Sequence, residues 1–146
     1  MTKIIIFDPK NKPNNTENME IVNFLFEHLQ EFGDPKQDIQ KAIDYSIKEF
    51  TSFGGFTMLI KENNIIVGVT VINNTGMGGY IPENILVYIA THNNYRGKGF
   101  GKTLMQKAIN HCEGDIALHV EANNPAKFLY EKLGFTNPYL EMRLKK

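Results

Sequence analysis

The sequence predicts a single mixed α/β (α+β) domain over residues 1–146, and three observations carry that prediction. Short β-branched and apolar runs alternate with longer stretches whose apolar residues recur at helical spacing. One such run, Ile85 to Ala90, passes through a glycine-rich turn straight into a helical stretch. A length of 146 residues suits one hydrophobic core.

Ile4 to Phe7 is an apolar run ended by Asp8-Pro9, so it reads as a first strand, and Lys10 to Asn15 reads as a loop. From Asn18 onward Ile21, Val22, Leu25, Phe26 and Leu29 share one helical face until Gly33. Asp34 and Pro35 then read as the N-cap and first-turn proline of a second helix with the stripe Ile39, Ile43, Ile47 and Phe50. Phe56 to Lys61 and Ile65 to Ile72 form antiparallel strands joined at Glu62-Asn63-Asn64, since asparagine tolerates the positive φ of a tight hairpin. Asn73 to Pro82 holds Gly76, Gly78 and Gly79 and reads as a mobile loop beside the site. Ile85 to Ala90 suits a strand covered on both faces. Leu104, Met105, Ala108, Ile109 and Cys112 then mark a third helix, closed near Gly114. Ile116 to Glu121 is another strand, and Asn124-Pro125 opens a fourth helix with Phe128, Leu129 and Leu133, closed by Gly134. Leu140 to Leu144 reads as a final strand.

Composition narrows the function classes. A chain 42% hydrophobic and 22% charged, with 10 Phe and 6 Tyr, belongs to folded globular proteins. Net charge +0 and a pI of about 6.9 leave no broad positive field for nucleic acid or an anionic membrane surface. No stretch approaches the ~20 apolar residues of a membrane span, and the N-terminal apolar run is too short for a signal-peptide core. The single cysteine, Cys112, cannot form an intrachain disulfide, so a soluble cytoplasmic protein is expected. The four histidines lack spacings such as H-x-x-x-H, so no metal site is expected, and no G-x-S-x-G nucleophile elbow occurs.

The chemistry concentrates in Arg96-Gly97-Lys98-Gly99-Phe100-Gly101-Lys102-Thr103. Alternating glycines let backbone approach a ligand closely, and the first amides of a helix lack internal partners and carry the positive end of its dipole. Such a turn favours a phosphate or pyrophosphate. A nucleotide P-loop, G-x-x-x-x-G-K-[ST], is a near miss: Gly101-Lys102-Thr103 supplies its end, but Arg96 stands at the first glycine position.

The segment is similar, without a gap, to the [RQ]-x-x-G-x-[GA] signature of the GNAT N-acetyltransferase superfamily, through Arg96, Gly99 and Gly101. About 20 residues after the glycine turn, Asn123-Asn124-Pro125-Ala126-Lys127-Phe128-Leu129-Tyr130-Glu131-Lys132-Leu133-Gly134-Phe135 resembles the family's N-x-x-A-x-x-x-Y-E-K-x-G-F block. The strong resemblance covers Ile85 to Phe135. It implies a GNAT-like fold: a central mixed, mostly antiparallel sheet of about six to seven strands flanked by about four helices, with a splayed strand pair forming an acetyl-CoA cleft.

The resemblance also implies a function, transfer of an acetyl group from acetyl-CoA to a primary amine of a small molecule or peptide by direct attack in a ternary complex. A homodimer is the family habit. By analogy, main chain of Ile89, Ala90 and Thr91 contacts pantetheine. Amides from Gly97 through Lys98, Gly99, Phe100 and Gly101 to Lys102 hold the pyrophosphate, and Arg96 or Lys98 adds charge. Asn123 and Ala126 border the pantetheine arm, the former with an amide that donates and accepts. Tyr130 falls near the thioester sulfur. A phenol titrating near ~10 stays protonated at neutral pH and can donate to a departing thiolate, whose thiol titrates near ~8.5.

The acceptor amine, near ~10.4, must lose a proton before it attacks. Glu83 is the expected base, with His119 and Glu121, two apart on one strand face, and His92 as rivals. His28 and His111 read as surface or packing residues. A rival of another class, a protein that binds acyl-CoA and reports it without turnover, would keep Arg96 to Gly101 and dispense with Tyr130.

Overall fold

Local signals in the chain are realised as five strands and four helices in a computed structural model that describes all 146 residues. The strands are β1 (Thr2–Phe7), β2 (Gly55–Glu62), β3 (Ile65–Asn74), β4 (Asn84–Thr91) and β5 (Ile116–Leu118). The helices are α1 (Asn15–Leu29), α2 (Lys36–Ile47), α3 (Phe100–His111) and α4 (Ala126–Lys132), with 3-10 turns at Gln30–Phe32 and Asn93–Tyr95.

The sheet runs β1-β2-β3-β4-β5. Its first four strands are antiparallel and β5 lies parallel to β4. Asn63 and Asn64 take φ of +51° and +67° in the β2–β3 hairpin, as their side chains allow. Alternation of side chains gives the sheet two apolar faces. Phe7, Leu59, Val69, Val71, Tyr88 and Ala90 pack under Ile21 and Leu25 of α1 and Ile39 and Ile43 of α2. Met58, Ile60, Val67, Ile72 and Leu86 pack under Leu104, Met105 and Ala108 of α3 and Tyr130 of α4.

Several expectations are corrected. Helix α1 starts earlier than Asn18, because Asn14 and Glu17 form a reciprocal capping box: Glu17 N–H donates to Asn14 Oδ1 (2.8 Å) and Asn14 N–H to Glu17 Oε1 (2.9 Å). Phe24 takes a core place on that helix while Phe26 stays half exposed. Asp34 does not cap α2; its carboxylate accepts from the Tyr88 hydroxyl at 2.5 Å, and the helix begins after Pro35 with no side-chain cap. Lys48 turns left-handed at φ +57° and ends α2, so Phe50 leaves the stripe and is exposed.

The sheet has five strands rather than six to seven. β5 covers three residues instead of Ile116 to Glu121, and Leu140 to Leu144 lies outside the sheet with its apolar side chains exposed. Alternating side chains make a segment fit for pairing, but a strand also needs a neighbouring edge. The edge here is β5, which ends at Leu118.

Candidate active site

Two strands part beside β4. β5 pairs with it only through Asn84↔Ile116, Ile85↔Ala117 and Leu86↔Leu118. The β3–β4 register shifts at the same place, Ile72 facing Leu86 and Val71 facing Tyr88, so Val87 is an extra residue. A bulge bends its strand. This one also switches the side-chain alternation, because Leu86 packs with α3 whereas Tyr88 and Ala90 pack with α1 and α2.

Beyond the bulge, β4 has a partner on one side only. His92 N–H donates to the Val67 carbonyl (2.9 Å), so by alternation Ala90 and Tyr88 turn their backbone groups toward β3. Ile89 and Thr91 turn theirs toward the gap. Two of the three strand residues expected at a ligand thus aim backbone into the opening, and Ala90 aims away from it.

The gap leads to the glycine turn. Gly97 and Gly99 take φ of +78° and +83°, and a Cβ on either would meet nothing within 4 Å, so their requirement for glycine is conformational. Gly99 serves as N-cap of α3 without a side-chain bond, and the first helical donor is Thr103, to the Gly99 carbonyl (3.0 Å). The amides of Phe100, Gly101 and Lys102 are therefore left without a capping side chain. Gly101 sits where a Cβ would lie 3.4 Å from Thr91 and 3.7 Å from Leu129, which brings β4, α3 and α4 together.

Two basic residues of the turn are already engaged. Arg96 Nη2 donates to the His28 carbonyl at 3.1 Å, and Lys98 Nζ lies 5.2 Å above the Tyr95 ring. Lys102 is exposed on the first turn of α3, and Phe100 packs edge-on to Tyr95 with ring centroids 6.2 Å apart.

On the facing side, Asn124 Oδ1 accepts from Ala126 N–H at 3.0 Å in the turn before α4, and Asn123 is exposed. Tyr130 is buried beside Phe135, with ring centroids 6.0 Å apart, and its hydroxyl has no hydrogen-bond partner within the chain. Burial pushes that hydroxyl up to about 12.

Glu83, the expected base, makes a structural bond at the start of β5. It precedes β4, eight residues and roughly 26 Å of strand from Thr91. Its Oε1 accepts from Asp115 N–H (2.9 Å), a bond that holds the carboxyl below the usual range. Its side chain fills the space above Gly114, where a Cβ would come within 2.6 Å of it. That carboxylate clasps the start of β5. A pocket of about 500 Å³ lined by Phe53, Phe56, Met77, Glu83, His111 and Glu113 lies at this end of α3, away from the glycine turn. His119 and Glu121 are exposed past the end of β5.

Sequence reasoning missed two residues near the opening. Tyr88 sits in a continuous apolar run that gives no hint of its bond to Asp34. His28, read as surface or packing, is buried and binds the turn before Arg96 through its ring and its carbonyl. Neither contact has a local signature, since the partners lie 54 and 65 residues away.

Known proteins share this fold. The ribosomal-protein-S18-alanine N-acetyltransferase of Escherichia coli superposes with a TM-score of 0.71 at 17% identity, over 95% of this chain and 80% of that one. The NatC complex, solved with Gag peptide and CoA, contains a chain that superposes with a TM-score of 0.69 at 22% identity, over 92% and 84%. In sequence, the [ribosomal protein bS18]-alanine N-acetyltransferase of Haemophilus influenzae is 37% identical over 78 residues, 51% of this chain and 50% of that enzyme. An acetyltransferase of Yersinia pestis is 28% identical over 128 residues, 82% of each. The chain spans only 12% of another relative, the mouse cysteine-rich protein 2-binding protein, at 28% identity. The model of the Acetyltransferase (GNAT) family matches residues 19–135. That match spans the parted strands, the glycine turn and α4, and on it the chain belongs to the GNAT acetyltransferase family.

Proposed function

We propose that the protein transfers an acetyl group from acetyl-CoA to a primary amine of a peptide or small molecule. The observation that carries this reading is the unpartnered edge of β4 beyond Val87, which leads directly to the uncapped amides of α3. Unpaired backbone groups that lose water are costly, so an amide-bearing arm laid along Ile89 and Thr91 stabilises the opening. The amides of Phe100, Gly101 and Lys102, at the positive end of α3, suit the diphosphate at the end of that arm.

Acetyl-CoA supplies the acetyl group as a thioester. Tyr130, with an unengaged hydroxyl, donates a proton to the leaving sulfur. An Ile89 backbone amide facing the gap supports the carbonyl oxygen as negative charge develops on it. Glu83 holds the strands at the far end and is not the base in this reading; the amine gives up its proton to solvent at the mouth of the gap. The name of the Haemophilus relative makes a peptide with an N-terminal alanine the first acceptor to assay.

The test is calorimetric titration with CoA followed by thiol release from acetyl-CoA with a panel of amines, peptides included. Micromolar binding and amine-dependent release are expected. No binding to folded protein overturns the reading, and binding without release under any amine converts it to an acyl-CoA sensor.

A further inference from the structure

A turn that grips a phosphate must present its amides in a fixed array, yet a turn built on open glycines does not hold itself. A Cβ on Gly97 or Gly99 would meet nothing within 4 Å, so no side-chain packing at these positions steadies the turn. The order comes from α1. Asn93 N–H donates to His28 Nδ1 (3.2 Å), Asn94 N–H donates to His92 Nδ1 (3.1 Å), and Arg96 Nη2 donates to the His28 carbonyl (3.1 Å). The two imidazoles stack at 4.3 Å, Phe24 backs His28 at 4.5 Å, and Tyr95 meets His92 edge-on at 5.2 Å. Asn93 and Asn94 of the segment that leads into the glycines are thus bound to the two rings, and Arg96 to the main chain of His28.

We propose that His28 and His92 are positioning residues for the coenzyme, a clasp that orders the β4–α3 turn only while the His28 ring is neutral. The proposal rests on the acetyl-CoA reading above. An imidazole that accepts at Nδ1 carries its hydrogen on Nε2. A second proton would land on Nδ1, where an amide hydrogen already points, and the bond would be lost.

The groups facing His28 set when that happens. Burial first, and then His92, hold His28 below its ordinary 6.5, with Arg96 acting weakly in the same direction; a hydrogen bond with the Asn93 side chain and the Glu27 carboxylate, 3.7 Å from Nε2, oppose them without reversing the shift. The clasp is therefore closed above about pH 6.5 and opens as the pH falls through the lowered native value. A positive charge near a diphosphate would by itself tighten binding. The clasp predicts the reverse sign: acid loosens the coenzyme.

Calorimetric titration with CoA between about pH 5 and pH 8 tests this in wild type, His28→Asn and His28→Phe. Asparagine sets an oxygen near the place of Nδ1 and does not titrate, whereas phenylalanine keeps the bulk and loses the acceptor. Relative to His28→Asn, the wild-type dissociation constant is expected to rise about tenfold over one pH unit below the His28 pKa. At pH 8 His28→Asn is expected to bind near the wild-type level and His28→Phe about fivefold more weakly. Parallel curves for wild type and His28→Asn, or wild-type affinity in His28→Phe, overturn the proposal.

Amide exchange at Asn93 and Asn94 in the coenzyme-free protein gives an independent reading, and His92→Phe substitutes if His28→Phe does not fold. Protection at pH 8 that is lost on acidification in wild type but not in His28→Asn supports the clasp, and unprotected amides at pH 8 overturn it. Absence of CoA binding at every pH would instead remove the acetyl-CoA reading, and the exchange data would still decide the clasp.

Discussion

Tyr130 combines burial with an unengaged hydroxyl, and burial pushes it up to about 12, so the phenol is protonated wherever the enzyme is assayed. Replacing it with phenylalanine removes the donor but preserves the packing against Phe135. Tyr130→Phe is expected to lower kcat about 100-fold with KM for acetyl-CoA within about twofold, measured by steady-state thiol release. Glu83 offers the contrast. Its carboxylate is held by Asp115, and with a native pKa below 4.5 that bond contributes above about pH 4.5 and is lost as the pH falls through the native value. Glu83→Gln is expected to lower Tm at pH 7 and leave the pH–rate profile in place; loss of a limb of that profile would make Glu83 the base after all. The Tyr88–Asp34 bond joins β4 to the α1–α2 connection. Asp34→Ala leaves the buried Tyr88 hydroxyl without its acceptor and should cost about 1–2 kcal/mol in urea denaturation, with little further loss when Tyr88→Phe is added.

At the scale of elements, the β4–α3 unit turns a strand into a ligand-facing helix through one bulge and two left-handed glycines. The glycine spacing was legible because positive φ and close approach leave a compositional mark; Gly97 and Gly99 do take that conformation. An alanine in the left-handed region costs about 1–2 kcal/mol. Gly99→Ala is therefore expected to lower stability by roughly that amount. It should weaken CoA binding by more than tenfold, because the N-cap geometry aims the amides of Phe100 to Lys102. Equal affinity in a folded Gly99→Ala protein would detach the turn from the coenzyme. The α1 boundary was legible too, since Asn14 and Glu17 stand at capping-box spacing, although the apolar stripe alone points to a later start. The end of α2 was not legible: Lys48 adopts φ +57° without being glycine or asparagine, and the stripe continues falsely to Phe50.

For the whole molecule, one sheet divides two apolar layers, and α3 is the helix that ties the glycine turn to the second of them. Leu104 is fully buried and lies 3.2 Å from the place a Cβ on Gly68 would occupy, so helix and sheet meet closely there. Leu104→Ala is expected to destabilise the protein by about 3 kcal/mol in chemical denaturation, with loss of CoA affinity following loss of structure. Sequence alone determined the succession of strands and helices, the two faces of apolar residues, the glycine turn and the family, because each rests on spacing within a few residues or on a contiguous motif. Only the tertiary structure decided where β4 bulges, where β5 leaves it, that Glu83 and Asp34 spend their carboxylates on distant partners, that His28 holds the turn, and that Leu140 to Leu144 finds no edge. Those outcomes depend on which strands and side chains meet across tens of residues, and no local period in the chain encodes such a meeting.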